Sequence, residues 1–365
     1  MRSPTLSETN RPTLRQRLEL RGARLLFALP AFAQRRLSGR RPVIIQGQTL
    51  HPQMQLLLAL REVLRPGLLS YRTATESRRE LRREILAIGD RPIEAGRVSD
   101  LSIKGGAGSL RARHYAPAAQ RPRPLLVFFH GGGFVAGDVE THDGVCRRLC
   151  RYGDVHVLSV EYRLAPESPF PAAVDDAVAA FRWACAEAAS LGAVPDKIAV
   201  GGDSAGGNLA AVVSLKAKAG GGPAPCAQVL LYPVLDRTTV RPSLELFGDG
   251  FLLTRDSIDW YQLQYTGTTV AQPIPDQYPL CAADFSGLAP ALIVTAGFDP
   301  LRDEGEAYAD VLRQAGVPVT LRRFDGLLHG FCNMAPVSRV CEAAVRQIGA
   351  DLRAIMGNGD GRRLS

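Results

Sequence analysis

A serine between glycines stands where an apolar run ends and a helix-forming run begins, in 199-AVGGDSAGGNLAA-211. A tight turn from a strand into a helix exposes its central side chain in a strained conformation, and glycine beside it avoids a steric clash. The start of the helix also brings a partial positive charge and free N–H groups to the hydroxyl. The pattern predicts that Ser204 is a nucleophile. An ordinary helix start and a phosphate-binding turn are the alternative interpretations.

A serine hydroxyl needs a base that accepts its proton, and histidine can do this at neutral pH. The chain has six histidines, at positions 51, 114, 130, 142, 156 and 329. His329 lies in 324-FDGLLHGFCNM-334, after the last apolar strand pattern and before the last helix pattern. We therefore predict that His329 is the general base.

The base in turn needs a carboxylate that fixes its tautomer and stabilises the imidazolium. Asp299 in 293-IVTAGFDPLRDEGEAYA-309 follows the carboxyl end of a predicted strand, where the sites of α/β proteins lie. Asp303 and Glu304 are rivals, but they fall in the first turn of the next helix, where acidic residues are common. The predicted order of Ser204, Asp299 and His329 is the order expected of α/β-hydrolases.

A glycine-rich segment, 127-VFFHGGGFVAGD-138, follows another buried-type run. Such a loop can offer backbone N–H groups to a developing negative charge without side-chain interference, and His-Gly-Gly-Gly is typical of an oxyanion loop. We predict that residues 130–134 form this loop and that His130 braces it by hydrogen bonding. A metal-ligand role is the alternative for His130. A phosphate loop is not supported, because no Gly-Lys-Ser/Thr follows.

His142, Cys146 and Cys150 lie at i, i+4 spacing on one predicted helix. They could bind zinc. However, no fourth ligand is apparent, and cysteine on a sheet-facing helix is more often a small buried hydrophobe. We therefore predict no metal and no cofactor. The odd number of cysteines, seven, does not fit a disulfide framework and favours a reducing, cytoplasmic compartment over secretion.

Strand and helix patterns alternate from about residue 99 onward. The predicted strands cover 109–115, 124–130, 155–162, 197–202, 226–233, 290–297 and 317–324. Apolar β-branched runs separated by helices predict a mostly parallel central sheet with helices on both faces. Together with the order of Ser204, Asp299 and His329, this predicts an α/β-hydrolase fold. Residues 234–288 are too long for an ordinary connection between two strands, so we interpret them as part of a helical cap. The predicted parts are an Arg-rich N-terminal tail (1–45), N-terminal cap helices (46–95), a catalytic domain (96–233 and 289–357), a cap insertion (234–288) and a C-terminal tail (358–365).

The net charge of +8 comes from residues 1–41, which hold ten arginines and two glutamates; the remainder is neutral. A basic tail could contact anionic lipid or nucleic acid, but no nucleic-acid motif supports the latter, so we predict no nucleic-acid partner. The basic tail and 25-LLFALPAFA-33 leave open a weak membrane-surface contact through residues 1–45, although no apolar run is long enough to span a membrane. A homodimer is also left open.

The motifs together resemble the hormone-sensitive-lipase-like group of serine esterases and lipases, and its bacterial members, including actinobacterial ones. The resemblance covers about residues 95–355 and includes the subgroup's aspartate before the serine. It rests on 130-HGGGFVAGD-138, 161-EYRLAPESPFPAAVDDA-177, 202-GDSAGG-207, 298-FDPLRDEG-305 and 329-HGF-331.

The resemblance implies that Gly132, Gly133 and Ala205 supply the oxyanion N–H groups. The supporting residues it implies are His130, Gly131 and Asp203. The N-terminal helices and the insertion would cap the acyl pocket. The expected activity is hydrolysis of small-molecule, short- to medium-chain carboxylic esters through an acyl-enzyme. An interfacial lipase, a non-catalytic small-molecule receptor and an amidase or acyltransferase are the alternatives.

Overall fold

The computed structural model describes residues 22, 24–64, 73–88, 93–118 and 121–357. Most of the Arg-rich segment, residues 1–21, and the predicted C-terminal tail, 358–365, lie outside the described residues. Residues 24–45 lie inside them and pack onto the body. The Phe27 side chain is buried, and its carbonyl oxygen accepts hydrogen bonds from the side-chain amides of Gln34 and Gln53 at 2.9 and 2.7 Å.

In the described part of the chain, eight strands form one sheet, in the order β10-β9-β8-β7-β5-β6-β4-β3, and a two-strand hairpin precedes it. The strands are β1 (Ile44–Ile45), β2 (Gln48–Thr49), β3 (Arg97–Lys104), β4 (Ser109–Ala116), β5 (Arg123–Phe129), β6 (His156–Val160), β7 (Ala193–Asp203), β8 (Gln228–Leu231), β9 (Ala291–Phe298) and β10 (Val319–Leu328). Strands β5 to β10 pair in parallel, whereas β3 and β4 make antiparallel pairs at one edge. The expected mostly parallel sheet is confirmed.

Helices cover both faces of the sheet. They are α1 (Ala31–Leu37), α2 (Pro52–Leu64), α3 (Ala74–Ile88), α4 (Asp143–Gly153), α5 (Ala172–Ala186), α6 (Ala205–Gly220), α7 (Pro242–Phe247), α8 (Arg255–Thr266), α9 (Arg302–Gln314) and α10 (Arg339–Gly357), with short 3-10 turns at Pro279–Cys281 and Phe331–Met334. The apolar sides of α5, α6 and α9 bury one face, and those of α4 and α10 bury the other. Every residue of β6, β8 and β9 is buried, as expected for strands covered on both faces.

Strand β3 was not among the predicted strands. It lies at the edge of the sheet, and only Ile103 of its eight residues is buried. An edge strand that faces solvent lacks the apolar run by which the inner strands were recognised. The neighbouring predicted strand, 109–115, corresponds closely to β4.

Helices α2, α3 and α8 lie together beside the carboxyl ends of the strands. Arg61 on α2 forms an ion pair with Glu84 on α3 at 3.2 Å. The hydroxyls of Ser77 on α3 and Tyr261 on α8 lie 3.3 Å apart. Helices from two distant parts of the sequence therefore contact one another. None of the helices in the described part of the chain is both long and apolar enough to cross a bilayer.

Candidate active site

Ser204 occupies the single-residue turn between β7 and α6, with φ +53° and ψ −117°. This positive φ is strained for a residue with a side chain. A Cβ on Gly206 would lie 1.8 Å from the carbonyl oxygen of Phe129, and one on Gly202 would lie 2.4 Å from that of Gly206. The two glycines therefore allow the turn to pack against β5, and the turn places the hydroxyl at the end of the sheet.

His329 and Asp299 form a continuous hydrogen-bonded chain with this serine. The Nε2 atom of His329 lies 3.0 Å from Ser204 Oγ, and its Nδ1 atom lies 2.8 Å from Asp299 Oδ2. Asp299 is fully buried, and its other oxygen accepts the backbone N–H of Leu301 at 2.9 Å. With Nδ1–H donated to the carboxylate, Nε2 is free to accept the serine proton. The three residues singled out in the sequence are thus in contact.

The two rival carboxylates point elsewhere. Asp303 Oδ2 accepts the backbone N–H of Ser243 at 2.8 Å, and Glu304 Oε1 accepts that of Leu235 at 3.0 Å. Burial raises the pKa of Glu304 well above its ordinary value, although the backbone N–H groups of Leu235 and Asp236, which both donate to this carboxylate, oppose the shift. Both side chains therefore connect α9 to the predicted cap insertion.

The glycine-rich loop lies beside Ser204. Gly132 and Gly133 have φ values of +120° and +62°, and both line the same cavity as the serine. Within the described part of the chain, no group accepts a hydrogen bond from the N–H of Gly132, Gly133 or Ala205. A Cβ on Gly133 would lie 2.3 Å from Cγ of Tyr261, so the ring on α8 covers this glycine closely.

His130 lies behind the loop and is fully buried. Its Nδ1–H donates to the carbonyl oxygen of Gly131 at 2.9 Å, and its ring stacks on Tyr162 with centroids 4.3 Å apart. The Tyr162 hydroxyl donates to the carbonyl oxygen of His130 at 2.7 Å. Burial, together with the neighbouring His142, lowers the pKa of His130 to about 4, so its ring is neutral at neutral pH.

A buried pair of Asp203 and His142 supports the loop from the same side. Asp203 Oδ1 accepts the backbone N–H of Gly131 at 2.9 Å and lies 3.4 Å from His142 Nε2. Burial alone would raise the pKa of Asp203, but His142, the Gly131 N–H and His130 together outweigh it and the pKa is lowered. Burial alone would lower the pKa of His142, but Asp203 and, to a smaller extent, Asp138 together outweigh it and the pKa is raised. The two residues therefore favour each other's charged form.

The sequence did not predict this role of His142, which was considered only as a possible zinc ligand. The residue directly precedes α4 and points toward β7, while Cys146 and Cys150 are buried in the core. Burial raises the pKa of Cys150 to about 12. Among the described residues, no group of three histidine, cysteine or acidic side chains could hold a metal ion. All seven cysteines are free thiols.

A cavity of about 750 Å³ opens over Ser204 and His329. One part of its wall is apolar and comes from the N-terminal helices and the turn after His329: Phe27, Met54, Leu57, Leu60, Leu81, Ile85, Met334 and Val337. Another part is polar and comes from α8 and the segments around it: Arg237, Ser257, Gln262, Tyr265, Gln277 and Tyr278. The volume is within the range of small-molecule sites.

A profile of the α/β-hydrolase fold matches residues 126–333, which hold the glycine-rich loop and all three residues of the hydrogen-bonded chain. The chain belongs to the α/β-hydrolase family. The resemblance to the hormone-sensitive-lipase-like group is confirmed by its relatives. The carboxylic ester hydrolase LipN of Mycobacterium tuberculosis is 48% identical over 340 residues, which cover 91% of this chain and 90% of LipN. The ethyl acetate hydrolase of Pseudomonas putida is 38% identical, and the match covers 72% of this chain and 85% of that enzyme.

Solved structures of ester hydrolases have the same fold. The ester hydrolase EH1AB1 from the metagenome of Lake Arreo, solved with a bipyridine phosphonate derivative, superposes with a TM-score of 0.81 at 38% identity. The match covers 84% of this chain and 99% of EH1AB1. A hyperthermophilic esterase from the archaeon Pyrobaculum calidifontis matches with a TM-score of 0.74 and 41% identity, over 80% of this chain and 97% of its own.

Proposed function

We propose that this carboxylic ester hydrolase acts on short- to medium-chain esters through a covalent acyl-enzyme on Ser204. The observation that carries the proposal is the chain of hydrogen bonds from Ser204 through His329 to Asp299, at the wall of the cavity. A non-catalytic receptor would not need this alignment, because nucleophile, base and orienting carboxylate serve bond cleavage.

The acylation step follows from the geometry. His329 Nε2 takes the proton as Ser204 Oγ attacks the ester carbonyl, and the imidazolium that forms is stabilised by Asp299. The carbonyl oxygen becomes negative, and the N–H groups of Gly132, Gly133 and Ala205 bind it. His329 then gives its proton to the leaving alcohol. In the second half of the reaction, His329 activates a water molecule that releases the acid.

His130 and Asp203 act on this reaction indirectly in our proposal. The contact of His130 with the Gly131 carbonyl and that of Asp203 with the Gly131 N–H restrain the residue that precedes the two oxyanion glycines. Such restraint keeps donors in place before charge develops, which is the condition for electrostatic stabilisation without reorganisation. No step requires a metal or a cofactor.

Hydrolysis of p-nitrophenyl esters from acetate to palmitate, by wild type and by Ser204→Ala, tests this proposal. Ser190→Ala is a matched control, because Ser190 is exposed and lies outside the cavity. We expect wild type and the control to be most active on short or medium chains and Ser204→Ala to fall to background. Equal activity of Ser204→Ala and wild type would refute the role of the serine, and a maximum at palmitate would refute the chain-length assignment.

One observation favours the second candidate function, an interfacial lipase. The N-terminal segment exposes apolar side chains next to arginines: Leu25 and Phe32 are 71% and 75% exposed, and Arg35 and Arg36 lie in the last turn of α1. The same segment buries Phe27, which lines the cavity. Exposed apolar groups beside basic ones fit an anionic lipid surface.

Sedimentation with phosphatidylserine and phosphatidylcholine vesicles tests this second candidate. If the segment binds lipid, wild type sediments with the anionic vesicles and Phe32→Ser sediments less. Activity on emulsified long-chain esters would decrease in parallel, while activity on soluble esters would stay. Equal sedimentation of Phe32→Ser and wild type would contradict this function.

A further inference from the structure

A strained residue outside the cavity wall contacts His329. Tyr232 directly follows β8 and has φ +38°, a left-handed conformation that is unfavourable for a bulky side chain. Such a conformation persists only where the surrounding structure imposes it, and residues of this kind cluster at active sites. Tyr232 is only 1% exposed and does not line the cavity that holds Ser204. Its strain therefore calls for a role that does not involve contact with the substrate.

The backbone around Tyr232 holds the nucleophile turn in place. The carbonyl oxygen of Leu231 accepts the N–H of Ser204 at 2.8 Å, and the N–H of Val234 donates to the carbonyl oxygen of Ser204 at 3.3 Å. The N–H of Tyr232 itself donates to the carbonyl oxygen of Val294 on β9 at 2.6 Å. Both backbone groups of Ser204 are thus bonded to residues that flank Tyr232, and Tyr232 connects this segment to β9.

The ring of Tyr232 packs against the imidazole of His329. The two ring centroids lie 5.0 Å apart at an interplanar angle of 64°, which is an edge-to-face contact. Phe331 contacts the same tyrosine ring with centroids 5.3 Å apart, and Phe324 on β10 contacts Phe331 at 5.3 Å. A row of aromatic rings that begins at Phe324 therefore keeps the Tyr232 ring in contact with His329.

This ring contact differs from the hydrogen bond between His329 and Ser204 because it does not depend on a proton. In the free enzyme, the serine hydroxyl donates its proton to Nε2 of His329. In an acyl-enzyme, the Ser204 oxygen is esterified and has no proton to donate. The contacts of His329 with Asp299 and Tyr232 do not involve the serine oxygen, so they persist. At that stage, the orientation of the imidazole depends on Asp299 and on packing, to which Tyr232 contributes.

We propose that Tyr232 is a positioning residue that orients the imidazole of His329 in the acyl-enzyme, so that Nε2 can take a proton from the attacking water. The inference rests on the proposed acyl-enzyme mechanism and assigns Tyr232 to its second half. Water loses a proton to Nε2 as its oxygen bonds to the acyl carbon, and this proton passes to Ser204 Oγ as the acyl bond breaks. Tyr232 lies outside the cavity wall, so it acts on these steps through His329.

Hydrolysis of p-nitrophenyl butyrate separates the two halves of the reaction. The value of kcat/KM depends on the steps up to acylation, which releases p-nitrophenolate, whereas kcat also depends on the release of butyrate. Wild type, Tyr232→Leu and Tyr232→Phe are compared at equal concentrations of active sites, titrated by the p-nitrophenolate that paraoxon (diethyl p-nitrophenyl phosphate) releases. The titration removes any misfolded fraction from the comparison. If Tyr232→Leu has no titratable sites, Tyr232→Met, which has a longer and more flexible side chain, takes its place.

We expect Tyr232→Leu to lower kcat about 10²-fold, the loss typical of a misplacement of roughly 1 Å, and to lower kcat/KM less than about tenfold. KM should therefore fall, and a burst of p-nitrophenolate should precede a slow steady state, because the acyl-enzyme accumulates. Tyr232→Phe keeps the ring and should keep both constants. Tyr308→Leu is the matched control: Tyr308 is also a fully buried tyrosine outside the cavity wall, on α9, so its loss should lower Tm without changing either constant.

The outcomes separate the role of Tyr232 from the ester hydrolysis on which it rests. An unchanged kcat in Tyr232→Leu would overturn the inference while leaving the hydrolase intact. Equal decreases of kcat and kcat/KM without a burst would also overturn it, since they would indicate general damage to the site. A loss in Tyr232→Phe as large as that in Tyr232→Leu would overturn the role of the ring. If wild type is no more active than Ser204→Ala, the proposed ester hydrolysis itself fails.

Discussion

Replacing Gly133 by alanine tests how closely helix α8 restrains the glycine-rich loop. The added Cβ would lie 2.3 Å from Cγ of Tyr261, roughly 1 Å closer than the usual contact of about 3.5 Å between carbon atoms. The Tyr261 hydroxyl lies 3.3 Å from that of Ser77, so the ring cannot move away without disturbing a contact between α3 and α8. We therefore expect the loop to move.

The expected loss of kcat follows from the narrow range of distances over which an N–H group can stabilise the oxyanion. Such donors act at about 2.7–3.1 Å, so a shift of roughly 1 Å removes most of the contribution of one donor, which is about 10²–10³ in kcat or ~3–4 kcal/mol. The left-handed φ of +62° adds ~1–2 kcal/mol to the cost of folding. Gly316→Ala is the control for that part, because Gly316 has φ +77° and an added Cβ there would meet nothing within 4 Å.

The assay is kcat/KM on p-nitrophenyl butyrate, with Gly133→Ala made in wild type and in Tyr261→Ala. Removal of the ring relieves the clash, so Gly133→Ala should cost at least about tenfold less in the Tyr261→Ala background, whereas Gly316→Ala should change little in either. An equal cost in both backgrounds would refute the argument that Tyr261 restrains the loop. So would full activity of Gly133→Ala in wild type.

Two further predictions concern the carboxylates and the buried pair. Asp299→Asn should lower kcat roughly 10³–10⁴-fold, because an amide favours the wrong tautomer of His329. Asp303→Asn should lower kcat less than about tenfold, since the Asp303 carboxylate contacts the Ser243 N–H and not His329. Similar kinetic losses in both variants would contradict our assignment. Burial opposes protonation of His142, but Asp203 raises its pKa, so the stability that this charge adds is complete below about pH 6.5 and is lost as the pH rises through the raised value. His142→Gln should therefore lower Tm more at about pH 6 than at about pH 9 in circular dichroism; an equal decrease at both would count against the ion pair.

The chain of Ser204, His329 and Asp299 could be predicted because each residue carries a local signal. Glycines two residues before and after a serine indicate a strained turn, and the positive φ of +53° observed at Ser204 shows that strained conformation. Asp299 directly follows β9, whereas its rivals lie within the first turn of α9, so their places relative to predicted elements already differed. The parallel inner strands were predictable for a related reason, since burial on both faces produces apolar runs.

The partners of the loop could not be predicted in the same way. The pair of Asp203 and His142 joins the end of β7 to the residue before α4, and only the packing of α4 on the sheet brings the two together. The polar wall of the cavity depends on where α8 lies over the loop, and the amphipathic pattern of α8 does not specify which surface it covers. The spacing of Tyr261 and Tyr265, one helical turn apart, was the available signal that they share a face.

Peptide mapping by mass spectrometry after reaction with paraoxon, a p-nitrophenyl phosphate triester, tests the central claim most directly. A serine that attacks an ester carbonyl also attacks this phosphorus, displaces p-nitrophenolate and keeps the diethylphosphoryl group. Our account predicts one adduct, on Ser204, formed in step with loss of esterase activity and absent in Ser204→Ala. An adduct on another residue that abolishes activity, or full phosphorylation of Ser204 with activity unchanged, would contradict it.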